Sequence, residues 1–313
     1  MLDVRRMRVL REVAAQGSFS AAAEQLAYTQ SAVSQQIATL ERETGTTLVE
    51  RGSRGVRLTD AGRALVEHTD VILARLADAE AELDAIAGLR AGRLRIVSFP
   101  SAGATVMPPA IARFRAAHPA VELTLWPAEP ADGMAMVRAG EADVALTVEP
   151  PDACNIPVDG IERTTLLEDP MFAMLPAGHP LARRRRLTLA DLAAESWIIG
   201  SSAGTCPDAQ IVLGACRAAG FEPHVAFQSD DYLAIQGFVA AGVGVALIPD
   251  LALVTVREDV VVRSLGAGRP SRLIVAATLA DGWASPARQA MLEMLREVGE
   301  EFSGERRALK IAS

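Results

Sequence analysis

The chain has 313 residues, half of them hydrophobic and only 4% aromatic, so Ala, Val and Leu must fill the cores of two or three expected domains. A net charge of −8 argues against a uniformly basic nucleic-acid binder, and the three cysteines (Cys154, Cys206, Cys216) are too few for a disulfide framework. The chain shows no apolar run of the roughly 20 residues that cross a bilayer, and its start, Met1 to Arg6, lacks the apolar stretch of a signal peptide, so the cytoplasm is the expected compartment.

Val4 to Gln16 reads as a first helix with Met7, Leu10 and Val13 inward, stopped by Gly17. Ser18 or Ser20 can cap a second helix, whose run Ala21-Ala22-Ala23 permits close packing. Thr29 caps a third helix that runs to about Thr44, where Gly45 ends it. Val33, Ile37 and Leu40 recur at i, i+4, i+7 and form its buried stripe. Ser31, Gln35 and Arg42 fall on the opposite side, with Ser34 flanking and Gln30 at the start. Amides and hydroxyls on that face suit base edges in a DNA major groove. Two short strands, 48–51 and 56–59, follow around the turn Gly52-Ser53-Arg54-Gly55. Three helices and a basic hairpin make a winged helix-turn-helix. The charge distribution agrees: Arg5, Arg6, Arg8 and Arg11 cluster at the start, and Arg51, Arg54, Arg57 and Arg63 follow the third helix.

These residues also carry a family resemblance. Gly17-Ser18-Phe19-Ser20 with Ala21 to Ala23, Leu26, the run Thr29 to Ile37, Leu40-Glu41, Gly45, Leu48, Arg51 and Leu58 to Gly62 resemble the N-terminal signature of LysR-type transcriptional regulators over nearly all of residues 1–66. Leu10 and Val49 depart from it, standing where the family commonly has Phe; both are apolar core positions, so they bear on packing rather than on DNA reading.

From Leu58 a helical pattern continues to about Ala87. Leu65, Ile72, Ala79 and Ile86 are seven apart, with Thr69, Leu76 and Leu83 between them, a two-per-heptad seam suited to pairing with a second helix. It resembles the family's linker helix, which pairs two winged helices for a two-fold DNA site. Past a hinge at Gly88–Gly92, β-runs and helices alternate, which implies parallel α/β sheets. Strands are expected over 94–99, 121–126, 142–148, 171–175, 197–199, 225–228, 243–248, 260–265 and 273–279. Helices are expected over 104–117, 134–139, 211–219, 232–241 and 286–302. Further echoes of the family are Gly140 to Ala145, His179 to Ala182 and Val239 to Pro249. The resemblance implies an α/β multidomain protein: an N-terminal winged helix-turn-helix, a long linker helix, and a C-terminal two-lobed α/β effector domain similar to type 2 periplasmic binding proteins. The expected limits are 1–60, 61–88 and 89–92 for head, linker and hinge, 93–165 with 266–302 for lobe I, 166–265 for lobe II, and 303–313 for a tail.

Ligands of open α/β sheets bind beyond the carboxyl ends of strands. Four strand exits carry small polar residues: Ser98, Pro100, Ser101 and Thr105; Thr147 and Glu149; Ser201, Ser202 and Thr205; Gln228 and Asp230. Two of them lead into helices, whose N–H groups suit an anionic head group. Glu149 and Asp230 in the same set call for a ligand that also brings a cationic or hydroxyl group.

Three other motifs point elsewhere. Gly200-Ser201-Ser202-Ala203-Gly204 matches a hydrolase nucleophile elbow, but His224 is the sole histidine downstream, and Asp208 and Glu222 are too close in sequence to it and to Ser202 to complete a triad. Cys206 and Cys216 suit a thiol-based redox sensor, as in peroxide-sensing members of the family, although Cys216 lines up with Val212 and Ala219 on an apolar face. Arg183 to Arg186 offers a second DNA patch by charge alone, but reads rather as a solvated loop between a strand and the 187–192 segment. With no metal-ligand spacing, P-loop or dinucleotide fingerprint, no cofactor is expected. The sequence thus reads as a non-enzymatic transcriptional regulator. Gln30, Ser31, Ser34 and Gln35 face bases, while Arg42, Arg51, Arg54 and Arg57 reach phosphates or the minor groove. The partners implied are a semi-palindromic promoter duplex, a small-molecule effector, further copies of the chain as dimer and tetramer, and RNA polymerase, with no membrane.

Overall fold

The computed structural model describes residues 2–52, 55–86, 92–152, 157–184, 187–200, 207–266, 268–280 and 285–312. The chain forms two compact units, Met1–Ala87 with Arg138–Glu141, and Gly88–Val137 with Ala142–Ser313.

The first unit contains α1 (Val4–Gln16), α2 (Phe19–Gln25), α3 (Gln30–Thr44), the hairpin β1 (Val49–Gly52) and β2 (Gly55–Leu58), and α4 (Asp60–Ile86). Local chemistry sets the ends. The Asp3 carboxylate accepts from the Arg5 N–H at 2.8 Å, and Gly17 closes α1 in the left-handed region. Ser18 caps α2, and the Thr29 hydroxyl accepts from the Ala32 N–H at 3.2 Å to start α3. Met7, Leu10 and Val13 of α1 pack against Ala22 and Ala23 of α2 and against Val33, Ile37 and Leu40 of α3 in one core. Glu41 ties α3 to the wing, its Oε1 accepting the N–H groups of Leu48 (2.8 Å) and Val49 (3.2 Å). Gly62 lets α4 approach: a Cβ there would stand 2.1 Å from the Leu48 carbonyl oxygen. Along α4 the seam divides. Leu65 packs into this core and Thr69 is buried, whereas Ile72, Leu76 and Leu83 are exposed.

In the second unit the chain runs β3 (Arg93–Ser98), α5 (Pro100–Ala104), α6 (Met107–Ala117), β4 (Glu122–Pro127), α7 (Pro130–Arg138), β5 (Val144–Glu149) and β6 (Ile161–Pro176). It continues through β7 (Ser196–Ile199), α8 (Pro207–Ala218), β8 (His224–Gln228), α9 (Tyr232–Ala240), β9 (Ala246–Pro249), β10 (Val260–Arg263), β11 (Ser271–Leu279) and α10 (Pro286–Ala312). Two lobes share β6. Its first part, Ile161–Pro170, pairs antiparallel with β11; from Met171 it pairs with β9 and β10 instead. Pro170 sits at the handover, where a residue without an N–H costs least. Lobe I orders its strands β6-β11-β5-β3-β4, and lobe II adds β10 and β9 beside β6 and the parallel pair β7-β8.

Four sequence expectations change. The sheets are mixed rather than parallel: β3 runs parallel to β4 and β5, but the crossing strands β6 and β11 run antiparallel to their neighbours. The strand expected over 171–175 is the second part of the 16-residue β6. The helix expected over 104–117 is broken at Thr105, and Pro108-Pro109 sit in the first turn of α6, where missing N–H groups do no harm. The expected tail is helical: α10 runs on to Ala312, because Gly304 costs only about 1 kcal/mol inside a helix and strong helix formers follow.

Candidate DNA-reading face and effector cavity

On α3 the buried stripe turns the polar row outward. Gln30, Ser31 and Gln35 are exposed, Ser34 is half-buried, and Gln36 is a further exposed amide absent from the sequence expectation. Thr29 Oγ1 and Ser31 Oγ lie 3.0 Å apart. The Arg42 side chain is exposed but folds back, its Nη2 donating to Thr39 Oγ1 at 2.8 Å. Arg57 is exposed on β2; Arg54 and the Arg51 side chain lie outside the described residues. The basic cluster is thinner than its sequence suggests. Arg6 pairs with Glu43, Arg11 with Asp70 at 2.8 Å, and Arg63 with Asp60, while Arg5 and Arg8 are exposed.

Between the two lobes of the second unit lies a cavity of about 690 Å³. Lobe I supplies Phe99 to Ser101, Ala104 and Glu129, lobe II supplies Ile198, Asp208, Val212, Tyr232 and Leu247, and Arg272 of β11 lies on the crossover. Arg272 is 1% exposed and fully engaged. Its Nε donates to Asp169 Oδ2 at 2.9 Å, Nη1 to Asp208 Oδ2 at 2.6 Å and Nη2 to Ser101 Oγ at 2.9 Å. The guanidinium also lies over the Phe99 ring, 5.4 Å from its centroid. Asp169 accepts the Leu251 N–H at 3.1 Å, and Tyr232 OH donates to Asp208. This knot joins α5 of lobe I, both crossing strands, and α8 and Leu251 of lobe II. Burial pushes the Asp169 carboxyl up to about 6, against the pull of Arg272 and the Leu251 N–H. Burial also works against the Arg272 charge, but Asp208, Tyr232 and Asp169 more than offset it and leave the guanidinium firmly protonated. Glu129, before α7, has its carboxyl raised first by partial desolvation and then by Asp230 and Asp208.

Of the residues expected to hold an effector, Pro100, Ser101 and Asp230 line the cavity. Ser98 and Thr147 are buried, with Ser98 Oγ donating to the Phe99 carbonyl at 3.2 Å. Thr105 Oγ1 donates to the Ser101 carbonyl at 2.7 Å, Glu149 pairs with Arg163 at 2.7 Å, and Gln228 is exposed on β8; none of these lines the cavity. Ser201, Ser202, Thr205 and Cys206 lie outside the described residues. Glu129, Asp208, Tyr232 and Arg272 are additional lining residues. Of these, Arg272 alone stands out in the sequence, as a charge immediately before the apolar run of β11.

The alternative motifs find little support. Cys216 is wholly buried in the lobe II core, which pushes its thiol up to about 11, the reverse of an activated thiolate. His224, the histidine a triad would need, is exposed on β8 with Nδ1 3.5 Å from Ser196 Oγ. Arg184 pairs with Asp191 at 2.8 Å. Among the described residues no group of three His, Cys, Asp or Glu side chains could hold a metal ion, and no helix is long and apolar enough to cross a membrane.

Residues 4–63 match the family model of bacterial regulatory helix-turn-helix proteins of the lysR family, and residues 87–300 match the LysR substrate binding domain. The probable HTH-type transcriptional regulator LrrA of Synechococcus elongatus is 33% identical over 301 residues, which cover 96% of this chain and 98% of LrrA. The HTH-type transcriptional regulator CbbR of Rhodospirillum rubrum is 32% identical, with 78% of each chain covered. A full-length OxyR variant from Pseudomonas aeruginosa superposes with a TM-score of 0.72 at 22% identity, covering 95% of both chains. Full-length CbnR complexed with its target DNA gives a TM-score of 0.65 at 22% identity, covering 95% of this chain and 100% of CbnR. These two likenesses speak to the fold.

Proposed function

Because the chain belongs to the LysR-type transcriptional regulators, DNA-binding proteins with an effector-binding domain and no enzymatic role, we propose how its residues divide that work. Gln30, Ser31, Ser34 and Gln35 read base edges in the major groove, and Arg42, Arg51, Arg54 and Arg57 reach phosphates or the adjoining minor groove. The observation that carries this is the outward polar row of α3 opposite buried Val33, Ile37 and Leu40. Two copies pair through α4, whose Ile72, Leu76 and Leu83 are exposed in the single chain. Pairing sets two reading helices about 34–36 Å apart on a semi-palindromic site. A tetramer assembles through the effector domains. A small molecule in the interlobe cavity changes the placement of the DNA-binding pairs, and transcription responds through DNA bending or contact with RNA polymerase, in the cytoplasm.

The test is DNA retention against salt concentration. Arg54→Glu with Arg57→Glu should abolish binding at moderate salt and flatten the salt slope by about 1 for each phosphate that is no longer neutralised. Unchanged retention removes the wing from the interface. Footprints taken with and without candidate metabolites should change in length if the cavity communicates with the DNA.

A further inference from the structure

The charge of the cavity wall is lopsided. Four carboxylates line it, Glu129, Asp208, Asp230 and Asp231, against a single cation, Arg272, among the described lining residues. Arg272 is committed to the protein itself, since Asp169, Asp208 and Ser101 engage all three of its nitrogens. Asp231 is likewise occupied, its Oδ1 accepting the N–H groups of Leu233 and Ala234 at the start of α9. Glu129 of lobe I shares the wall with Asp208 and Asp230 of lobe II; Asp208 Oδ2 already holds Arg272 and Tyr232, while its buried Oδ1 meets no hydrogen-bond partner among the described residues. The rest of the wall is largely apolar, with Phe99, Ile198, Val212 and Leu247. A carboxylate or phosphate ligand would meet like charge from both lobes. A bare divalent ion would leave the apolar wall wet, and among the described residues no trio of side chains is set to hold one.

We propose that the effector is an organic cation, a protonated amine or amidinium on an apolar skeleton, whose charged end bridges Glu129 of one lobe to Asp208 and Asp230 of the other. This rests on the effector reading of the interlobe cavity. Glu129 belongs to lobe I, whereas Asp208 and Asp230 belong to lobe II. A cation between them attracts both sides, so occupancy and closure are coupled through its differential contact with the closed state. The apolar skeleton lies against Phe99, Ile198, Val212 and Leu247 and displaces water from them.

The experiment is thermal unfolding of the full chain with matched probes at constant ionic strength: phenethylamine against hydrocinnamate, cyclohexylmethylamine against cyclohexanecarboxylate, benzamidine against benzoate. The cations raise the unfolding midpoint and the acids do not. For a stabilising cation, Glu129→Gln and Asp230→Asn each weaken the apparent Kd by about tenfold or more, the loss of one charge-assisted hydrogen bond. The proposal is overturned if the acids stabilise as well as the cations, if neither set stabilises at millimolar concentration, or if both substitutions leave the affinity unchanged. Ala104→Trp separates this from the cavity reading, because Ala104 is an exposed residue of the wall at the end of α5 and an indole there fills the space. Acids that stabilise the wild type but not Ala104→Trp overturn the charge assignment alone. Stabilisation by cations that survives Ala104→Trp places binding elsewhere and overturns both.

Discussion

Replacing Arg272 by Met tests whether charge pairing, rather than packing, holds the crossing strands together. The guanidinium is 1% exposed and bonds Asp169, Asp208 and Ser101. Met roughly preserves the volume while removing the charge. Asp169 would remain, wholly buried, with the Leu251 N–H at 3.1 Å as its remaining donor. Breaking a buried ion pair from one side costs about 3–5 kcal/mol. Part of that loss depends on pH. Even with Arg272 beside it, burial holds the Asp169 carboxyl up at about 6 against 3.8 ordinarily. Because the folded value lies above the unfolded one, folding takes up a proton between about pH 4 and 6. The cost of the buried charge is therefore felt in full above that window and disappears below it. Without Arg272 the carboxyl rises further, so acid relieves the variant more than the wild type. Urea unfolding of the full chain, followed by tryptophan fluorescence to which the buried Trp197 contributes, should show a loss of about 3–5 kcal/mol near pH 8 and clearly less near pH 5. Arg272→Met combined with Asp169→Asn keeps an acceptor for Leu251 and should recover most of the loss. Equal losses at both pH values, or a double variant no more stable than the single, would refute the reasoning.

Four further outcomes are expected. Gly62→Ala drives a methyl against the Leu48 carbonyl oxygen, a backbone atom 2.1 Å away, and should lower the stability of the DNA-binding unit by about 1–3 kcal/mol in thermal unfolding; a change within about 0.5 kcal/mol would mean that α4 does not rest on Leu48 as described. Glu41→Ala strands the N–H groups of Leu48 and Val49, costing about 1–3 kcal/mol in the same assay, and an unaffected melting curve argues against the tie. Leu76→Asp changes an exposed residue of α4, so the monomer should fold normally while sedimentation shows a weakened dimer; an unaltered dimer would discard the seam. With Cys154 and Cys206 replaced by Ser, Cys216 should react with an aromatic disulfide reagent only after unfolding, since burial holds its thiol up at about 11, and rapid labelling of the native protein at neutral pH contradicts that.

The DNA-binding unit was legible because its determinants are local. Gly17 and Gly45 end α1 and α3 in left-handed conformations, Thr29 caps α3, and Val33, Ile37 and Leu40 form a stripe within one helix. The first part of β6 was not legible for the opposite reason. Glu162 to Thr165 show no clean alternation, and Asp169-Pro170 resembles a turn. Asp169 can lie wholly buried in a strand because Arg272, 103 residues later, is bonded to it. A period-two pattern cannot register a partner at that distance. The break at Thr105 is weakly marked as well, since Ala102, Ala104 and Met107 around it favour helix and the two prolines that restart α6 come after it.

The cavity failed to show itself in the sequence by a different route. Position at a strand exit puts Pro100, Ser101 and Asp230 on the cavity wall. That position does not tell which exit residues are spent inside their own lobe, as Glu149 is on Arg163 and Thr105 is on the Ser101 carbonyl. Glu129 and Asp208 each stand beside the first turn of a helix, α7 and α8. A carboxylate there is favourable in any protein, because it meets the positive end of the helix dipole. Each therefore reads as ordinary helix chemistry until two lobes, built from chain segments far apart, bring them to one wall. The charge of that wall belongs to the tertiary arrangement, as does the cancellation of Arg272 by Asp169 and Asp208. Counting charged residues near strand ends would have credited the site with a free arginine and favoured an anionic ligand. The hydrogen bonds assign that arginine to the crossover.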